Sequence, residues 1–407
     1  MSISADVLRS YRSIDEKTVD ELLAQEIKNN NKKIVVLDDD PTGVQTVHDI
    51  SVYTGWDADS LREAFAEENN LFYILTNSRG FTEEQTKEAH LEIADAVDRA
   101  AKEASRDYIF ISRSDSTLRG HYPLETRLLK ECYERNTGVK LDGEILCPFF
   151  KEGGRYTIGN VHYVKYGDEL VPAHETEFAK DKTFGYTAEN LPDYVEEKTA
   201  GEYKAKDVIS ISLEDIRSMD FDKIKSQLMS AKNFNKIIVN AIDYSDIKVF
   251  AVALFRAMNA GKMFMFRTAA ALVKVMGGVS DMPLLTRSDM IVNETENGGI
   301  IVVGSHTAKT TSQLECLKEI ADIEFIELDA NLVRDEEGFA NEVDRCLALE
   351  GEYIESGKTV CCYTSRSLVV ANTGDKEDEL RLSVRISDAV QSLVGRLPVT
   401  PSFVVAK

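Results

Sequence analysis

The sequence predicts an α/β protein of two domains, each with a mostly parallel sheet flanked by helices. Three observations predict it. Short apolar, β-rich runs recur at 34–37, 50–53, 71–76, 108–112, 144–147, 208–211, 236–240 and 263–266. Helical stretches of polar pattern, such as 82–104 and 245–259, separate several of these runs. A polar, Gly-containing stretch, Asn293-Glu-Thr-Glu-Asn-Gly-Gly299, then precedes a second set of alternating runs. Strands that alternate with helices build parallel sheets, and polar Gly-containing segments tend to join domains. The expected domains are therefore 1–290 and 298–407.

Within the first domain, helical spacing over 7–29 stops at Asn29-Asn-Asn31, and the first strand begins at Ile34. The second domain reads as strand 300–303, helix 310–320, strand 324–328, helix 336–352, strand 359–363, helix 379–395 and the start of a strand at 402–406. In such sheets ligands bind beyond the carboxyl ends of the strands, so the residues after each run are the ones to inspect.

Composition narrows the partners. A formal net charge of -22 disfavours nucleic acid and anionic membrane, while a small anion in a cleft responds to local donors instead. The six cysteines, Cys132, Cys147, Cys316, Cys346, Cys361 and Cys362, include no C-x-x-C pair and read as reduced thiols. The N-terminus has no apolar h-region, and no run of 18 apolar residues occurs. Cytoplasm is the expected location, and a homodimer is compatible with this composition.

Five motifs follow strands. Leu37-Asp-Asp-Asp-Pro-Thr-Gly43 places three adjacent carboxylates at a strand end. Such a group requires a cation, donors or a raised pKa, and it suits a general base or a metal; the plainer reading is an acidic turn. Thr76-Asn-Ser-Arg-Gly80 offers Arg79 to a carboxylate. Ser112-Arg-Ser-Asp-Ser-Thr-Leu-Arg-Gly-His-Tyr-Pro-Leu-Glu125 gathers hydroxyls, two arginines and Asp115 in a dozen residues, more than a helix cap requires. Cys147-Pro-Phe-Phe-Lys-Glu-Gly-Gly-Arg-Tyr-Thr-Ile-Gly159 offers Arg155 to an anion, and a hairpin on a Gly turn fits equally well. His162 and His174 lack metal-ligand spacing and read as loop or core histidines. Ile301-Val-Val-Gly-Ser-His-Thr307 places Gly304 and Ser305 before a helix, where backbone N–H groups favour phosphate, although it is not a P-loop. Ser365 and Arg366 repeat the idea more weakly.

Together these stretches resemble the four-carbon acid sugar kinase family, from about Ile34 to Lys407. Its D-D-x-T-G element is similar to Asp39-Asp-Pro-Thr-Gly43, and its K-x-x-D-S-T-x-R-G element to Arg113-Ser-Asp-Ser-Thr-Leu-Arg-Gly120. Its G-R-x-T-x-x-G element is similar to Gly154-Arg-Tyr-Thr-Ile-Gly159, its R-T element to Arg267-Thr268, and its G-S turn to Gly304-Ser305. The resemblance implies an ATP-dependent kinase acting on a threonate, erythronate or 3-oxo-tetronate type of acid, with Mg²⁺ carried by the nucleotide and the active site in the interdomain cleft. It implies Asp40 and Asp39 as catalytic groups. Thr42, Gly43, Ser78, Arg79, Ser114, Asp115, Arg119 and Arg155 would contact substrate, with Arg79 or Arg119 on its carboxylate. Gly304 and Ser305 would contact ATP, and no protein metal site is expected. Pro41 replaces the family's usual aromatic, and 160–162 lie in a longer loop. The family continues with a G-G-x-T-S loop and a later Gly-rich loop, so further residues are expected after Lys407.

Two other readings exist. A haloacid-dehalogenase-like phosphatase would use Asp38 as nucleophile, in Asp38-Asp-Asp-Pro-Thr42, with Thr76-Asn77 and Gly374-Asp-Lys-Glu-Asp378 as its later motifs. A catalytically inactive sugar-acid-binding protein would keep the first domain's cleft alone.

Overall fold

Ile34, Val35, Val36 and Leu37 are buried on both faces of their strand, so this continuous apolar run belongs inside a parallel sheet. The computed structural model describes residues 2–291, 295–367, 369 and 376–407. Asn293 and Glu294 of the expected boundary, and Gly374 and Asp375 of the phosphatase motif, lie outside them. The chain forms two compact units, Met1–Asp281 and Met282–Lys407.

The first unit is built on an eight-stranded sheet. Its spatial order is Ile209–Ile211, Asn235–Val239, Gly143–Cys147, Phe264–Thr268, Tyr108–Arg113, Lys33–Asp38, Leu71–Leu75 and Val52–Tyr53. Every neighbouring pair is parallel. All eight carboxyl ends therefore lie along one edge. Asp38 is in register with Leu75 on one side and Arg113 on the other, which brings the first three motifs side by side.

Helices fill the connections. Glu83–Glu103 starts from a capping box made by Thr82 and Gln85, and it buries an alanine-rich face with Ile93 and Val97. Leu124–Thr137 ends at Gly138, whose φ of 74° supplies the left-handed residue that commonly closes a helix. Tyr244–Asn259 is apolar almost all round, as a helix covered by both sheet and other helices must be.

Two local expectations are corrected. The helical stretch at 7–29 is split into a 3₁₀ turn, Ala5–Arg9, and a helix, Glu16–Asn29, because the Asp15 side chain accepts from Thr18 N–H and starts a new helix. The strand at 50–53 is only Val52–Tyr53, since Asp49 sits at φ 54° just before it. The first unit also carries a four-stranded antiparallel sheet, Ile3–Ser4, Glu169–Pro172, Val161–Tyr166 and Arg155–Ile158. Its hairpin turns on Gly159 and Asn160, both at positive φ, a pair suited to a two-residue turn.

The second unit has a four-stranded parallel sheet in the order Ile323–Leu328, Thr359–Thr364, Ile300–Val303 and Val404–Ala406. Helix Glu336–Glu355 packs beneath it and inserts Glu350 into the core at 0% exposure, with neither carboxylate oxygen hydrogen-bonded. Burial pushes this carboxyl up to about 7. The folded state then holds a proton that the unfolded chain releases near pH 4.5, so stability falls as pH rises through this window. Above pH 7 the loss reaches about 3 kcal/mol at 1.36 kcal/mol per unit. Glu350→Gln is expected to leave the unit's melting temperature unchanged at pH 5 and to raise it at pH 8. Equal melting of the two proteins at pH 8 would show that Glu350 ionises without cost.

Candidate functional site

Four adjacent strand ends create the site in the first unit. Beyond Asp38 the chain turns through a short 3₁₀ segment, Pro41–Val44, capped by Asp40. The Asp40 carboxylate accepts from Thr42 N–H at 2.7 Å and from the Thr42 hydroxyl at 2.5 Å. Beyond Leu75, Asn77 adopts a left-handed conformation, and the turn Ser78–Gly80 delivers Arg79. Beyond Arg113 the chain runs through Ser114 and Asp115 to Gly120, whose φ of 115° is open to glycine. An added Cβ there would lie 3.4 Å from Asp39 Oδ2 and 3.9 Å from Glu125 Oε2.

These turns assemble an ion network. Arg79 donates to both oxygens of Asp39, at 2.7 and 3.1 Å, and to Asp40 Oδ2 at 2.8 Å. The same guanidinium reaches Asp115 Oδ1 at 4.0 Å. Asp115 in turn accepts from Arg119 Nε at 2.7 Å, from Arg119 N–H at 3.3 Å and from the Thr117 hydroxyl. Arg113 donates to Asp38 Oδ1 and to the Asp40 carbonyl. Below this layer, Arg267 donates to the Ser114 hydroxyl at 2.9 Å and faces Glu125 at 3.7 Å, while Ser78 donates to Glu125 at 2.8 Å.

Charge follows from these partners. Burial opposes ionisation of Asp115, but Arg119 and Arg79 outweigh it and hold the carboxyl well below the usual range. For Asp40, too, burial is outweighed by Arg79 and by the Thr42 donors, so its carboxyl lies below its ordinary value. Burial pushes Asp39 up despite Arg79 and Arg113, and pushes Asp38 up to about 7. The rim thus presents two ionised acids, Asp40 and Asp115, over a more deeply buried pair.

The structure brings Asp39, Asp40, Thr42, Gly43, Ser78, Arg79, Ser114, Asp115 and Arg119 to this one edge. Gly43 is required by packing: a Cβ would fall 2.2 Å from both Arg113 Nε and Asp38 Oδ2. Asp38 is therefore wholly buried beneath the turn and bonded to Arg113. That geometry corrects the phosphatase reading, because a nucleophile must reach its substrate. Arg155 stands beside the network. Its guanidinium lies over the Phe178 ring, 5.3 Å from the centroid, and Arg119 lies over the same ring at 5.0 Å.

Some members were not singled out as site residues from sequence. Arg113, Glu125 and Arg267 are buried ion-pair partners, and Arg267 lies directly after the run at 263–266, where the strand-end rule pointed. Phe178 carried no signal. His162 is neutral at ordinary pH, pushed down to about 4 by burial, and bridges Thr157 and the Ser116 carbonyl at 2.9 and 2.7 Å.

In the second unit, Gly304 and Ser305 follow strand Ile300–Val303. Their backbone N–H groups donate to the Lys407 carbonyl, at 2.9 and 3.1 Å. A hydroxyl cluster lies at the start of helix Ala308–Lys318. Ser305 Oγ is 2.9 Å from Thr310 Oγ1, which is 3.1 Å from Thr307 Oγ1. Arg366 donates to the Ser305 carbonyl and to Thr311 Oγ1, each at 2.8 Å, and its buried Nη1 has no hydrogen-bond partner among the described residues. Among the described residues no group of three His, Cys, Asp or Glu is placed to hold a metal ion, and no helix is long and apolar enough to cross a membrane.

Residues 34–276 match the sugar-binding N-terminal domain, and residues 300–406 match the nucleotide-binding C-terminal domain. A search of curated proteins finds no match. Similar solved structures include a protein of Salmonella typhimurium LT2, at 12% identity over 90% of this chain and 82% of that one, with a TM-score of 0.52. They also include the Haemophilus influenzae protein HI1011, at 18% identity over 89% and 82%, TM-score 0.45. A domain of unknown function from Bordetella bronchiseptica, a domain-swapped dimer with bound citrate, is 17% identical over 92% and 82%, TM-score 0.44. At 12% identity the likeness to the Salmonella typhimurium LT2 protein is one of fold.

Proposed function

The chain belongs to the four-carbon acid sugar kinase family, and from that premise we propose that it transfers the γ-phosphoryl group of ATP to a hydroxyl of a four-carbon sugar acid. The observation that carries the reading is the pair of ionised carboxylates, Asp40 and Asp115, fixed by arginines at the edge where parallel strands end. Such a rim can orient the hydroxyls of a small polyol, and the arginines beside it suit an anion.

In this reading the substrate hydroxyl donates to Asp40, whose position is fixed by Thr42 and Arg79. Its oxygen attacks the γ-phosphorus as the bond to the ADP oxygen breaks, and the hydroxyl proton leaves toward Asp40 or solvent. A low-pKa carboxylate is a weak base, but phosphoryl transfer depends more on alignment and charge neutralisation than on proton abstraction. Asp39 and Asp115 keep Arg79 in place. On the second unit, Ser305, Thr307, Thr310 and Arg366 would face the nucleotide's phosphates. The acids of the rim are already held by arginines, so they do not form a metal cage. Mg²⁺ would arrive on the phosphates of ATP, where it neutralises charge.

The test is ADP formation with threonate, erythronate and their 3-oxo forms. At least one acid should drive ATP consumption above the rate without acid. An acid that binds without ADP formation would favour the inactive, ligand-binding reading.

A further inference from the structure

Arginines that line an acid-binding rim are not equally available to a ligand. Of the five here, four have a carboxylate oxygen within 4.0 Å: Arg79 faces Asp39 and Asp40, Arg113 faces Asp38, Arg119 faces Asp115, and Arg267 faces Glu125. Among the described residues, Arg155 has no such carboxylate; its Nη1 donates to the Gly153 carbonyl, and its buried Nε has no hydrogen-bond partner.

We propose that Arg155 is the group that receives the substrate's carboxylate, with Phe178 packed against it and Arg79 serving as an internal clamp for Asp39 and Asp40. The inference rests on the sugar-acid reading above and assigns its specificity for an anion. An unpaired, part-buried guanidinium is costly, and an incoming carboxylate that accepts from two of its N–H groups removes that cost. The ring of Phe178 contacts both Arg119 and Arg155 and limits their rotamers. Arg119 is already held by Asp115 at 2.7 Å and approaches Asp181 at 4.0 Å, whereas Asp115 and Glu177 act on Arg155 only from beyond ion-pair distance. Hydroxyls of the same ligand would then lie toward Asp115 and Asp40.

Calorimetric binding without ATP separates the possibilities. The probes are threonate, erythronate and the corresponding primary amides, which keep the hydroxyls and lose the charge. Wild-type protein should prefer the acid. Arg155→Gln should weaken the acid by about 10- to 100-fold and leave the amide within about threefold, as expected for loss of a charge-assisted hydrogen bond. Arg155→Lys should restore part of the loss. Parallel weakening of acid and amide, or unchanged acid binding, would overturn the proposal. If Arg155→Gln does not fold, the wild-type comparison decides, and equal affinity for acid and amide overturns it. Acid binding that depends on Arg155 without any ADP formation would refute the kinase reading and leave this assignment standing. Absence of binding to every probe would overturn both.

Discussion

Asp40→Asn is expected to lower kcat roughly 100- to 10,000-fold, the span attributed to a positioned acid–base group, while changing substrate affinity by no more than about threefold. The asparagine keeps an oxygen for Thr42 N–H and the Thr42 hydroxyl, so the turn Pro41–Val44 should persist. Arg79 retains both oxygens of Asp39. What is lost is the negative charge that fixes the reacting hydroxyl. Because Arg79 and Thr42 hold the Asp40 carboxyl below its ordinary value, wild-type kcat should stay level through neutral pH and fall only in acid. Steady-state kinetics over pH check both statements. An unchanged kcat would remove Asp40 from the mechanism.

Arg79→Met should have the largest effect on stability. One guanidinium serves Asp39 and Asp40 directly and Asp115 at 4.0 Å, and all three acids are mostly shielded from water. Methionine of similar length leaves Asp39, which is 3% exposed, beside Asp40 with only the more distant Arg113, at 3.6 Å, to offset its charge. Breaking a buried ion pair from one side costs on the order of 3–5 kcal/mol, and denaturant unfolding of the first unit should show a loss of that size. The pH dependence should also change. In the wild type, Asp40 and Asp115 have lowered pKa values, so their contribution is present above the ordinary carboxylate range and is lost as pH falls through it. In the variant Asp115 keeps Arg119 and Asp40 keeps the Thr42 donors, but Asp39, whose carboxyl burial already pushes up, loses the nearer of its two cations; it should bind a proton more readily folded than unfolded, so stability should rise as pH is lowered toward 5. A variant as stable as wild type at neutral pH would mean that the network contributes nothing to the fold.

The parts of this site that follow directly from the chain were legible, and those set by distant packing were not. Three acids after a buried strand, an arginine after the next strand and a Ser/Thr/Arg loop after a third all pointed to one edge, because parallel strands place their carboxyl ends together. The same pattern could not say which arginine meets which acid. Arg79 looked available to a ligand, yet three-dimensional pairing commits it to Asp39 and Asp40. Asp38 looked like a nucleophile by spacing, yet Gly43 and Arg113 seal it in. Phe178 comes from a loop without regular structure, where no period marks it. The antiparallel sheet around Arg155 was read only as a hairpin alternative, because its strands are two to six residues long and carry no sustained alternation. In the second unit, the Gly304-Ser305 turn was found from its strand and helix, but the loss of its N–H groups to Lys407 depends on a strand pairing one hundred residues away in sequence, roughly.

Phosphorus NMR of the purified protein with ATP and the acid that best drives ADP formation follows the γ-phosphoryl group itself. It should appear as a phosphate ester of the acid, one for each ADP, in the wild type, and be nearly absent with Asp40→Asn. A γ-phosphoryl group recovered only as inorganic phosphate, or an ester formed equally well by Asp40→Asn, would contradict a kinase working from this rim.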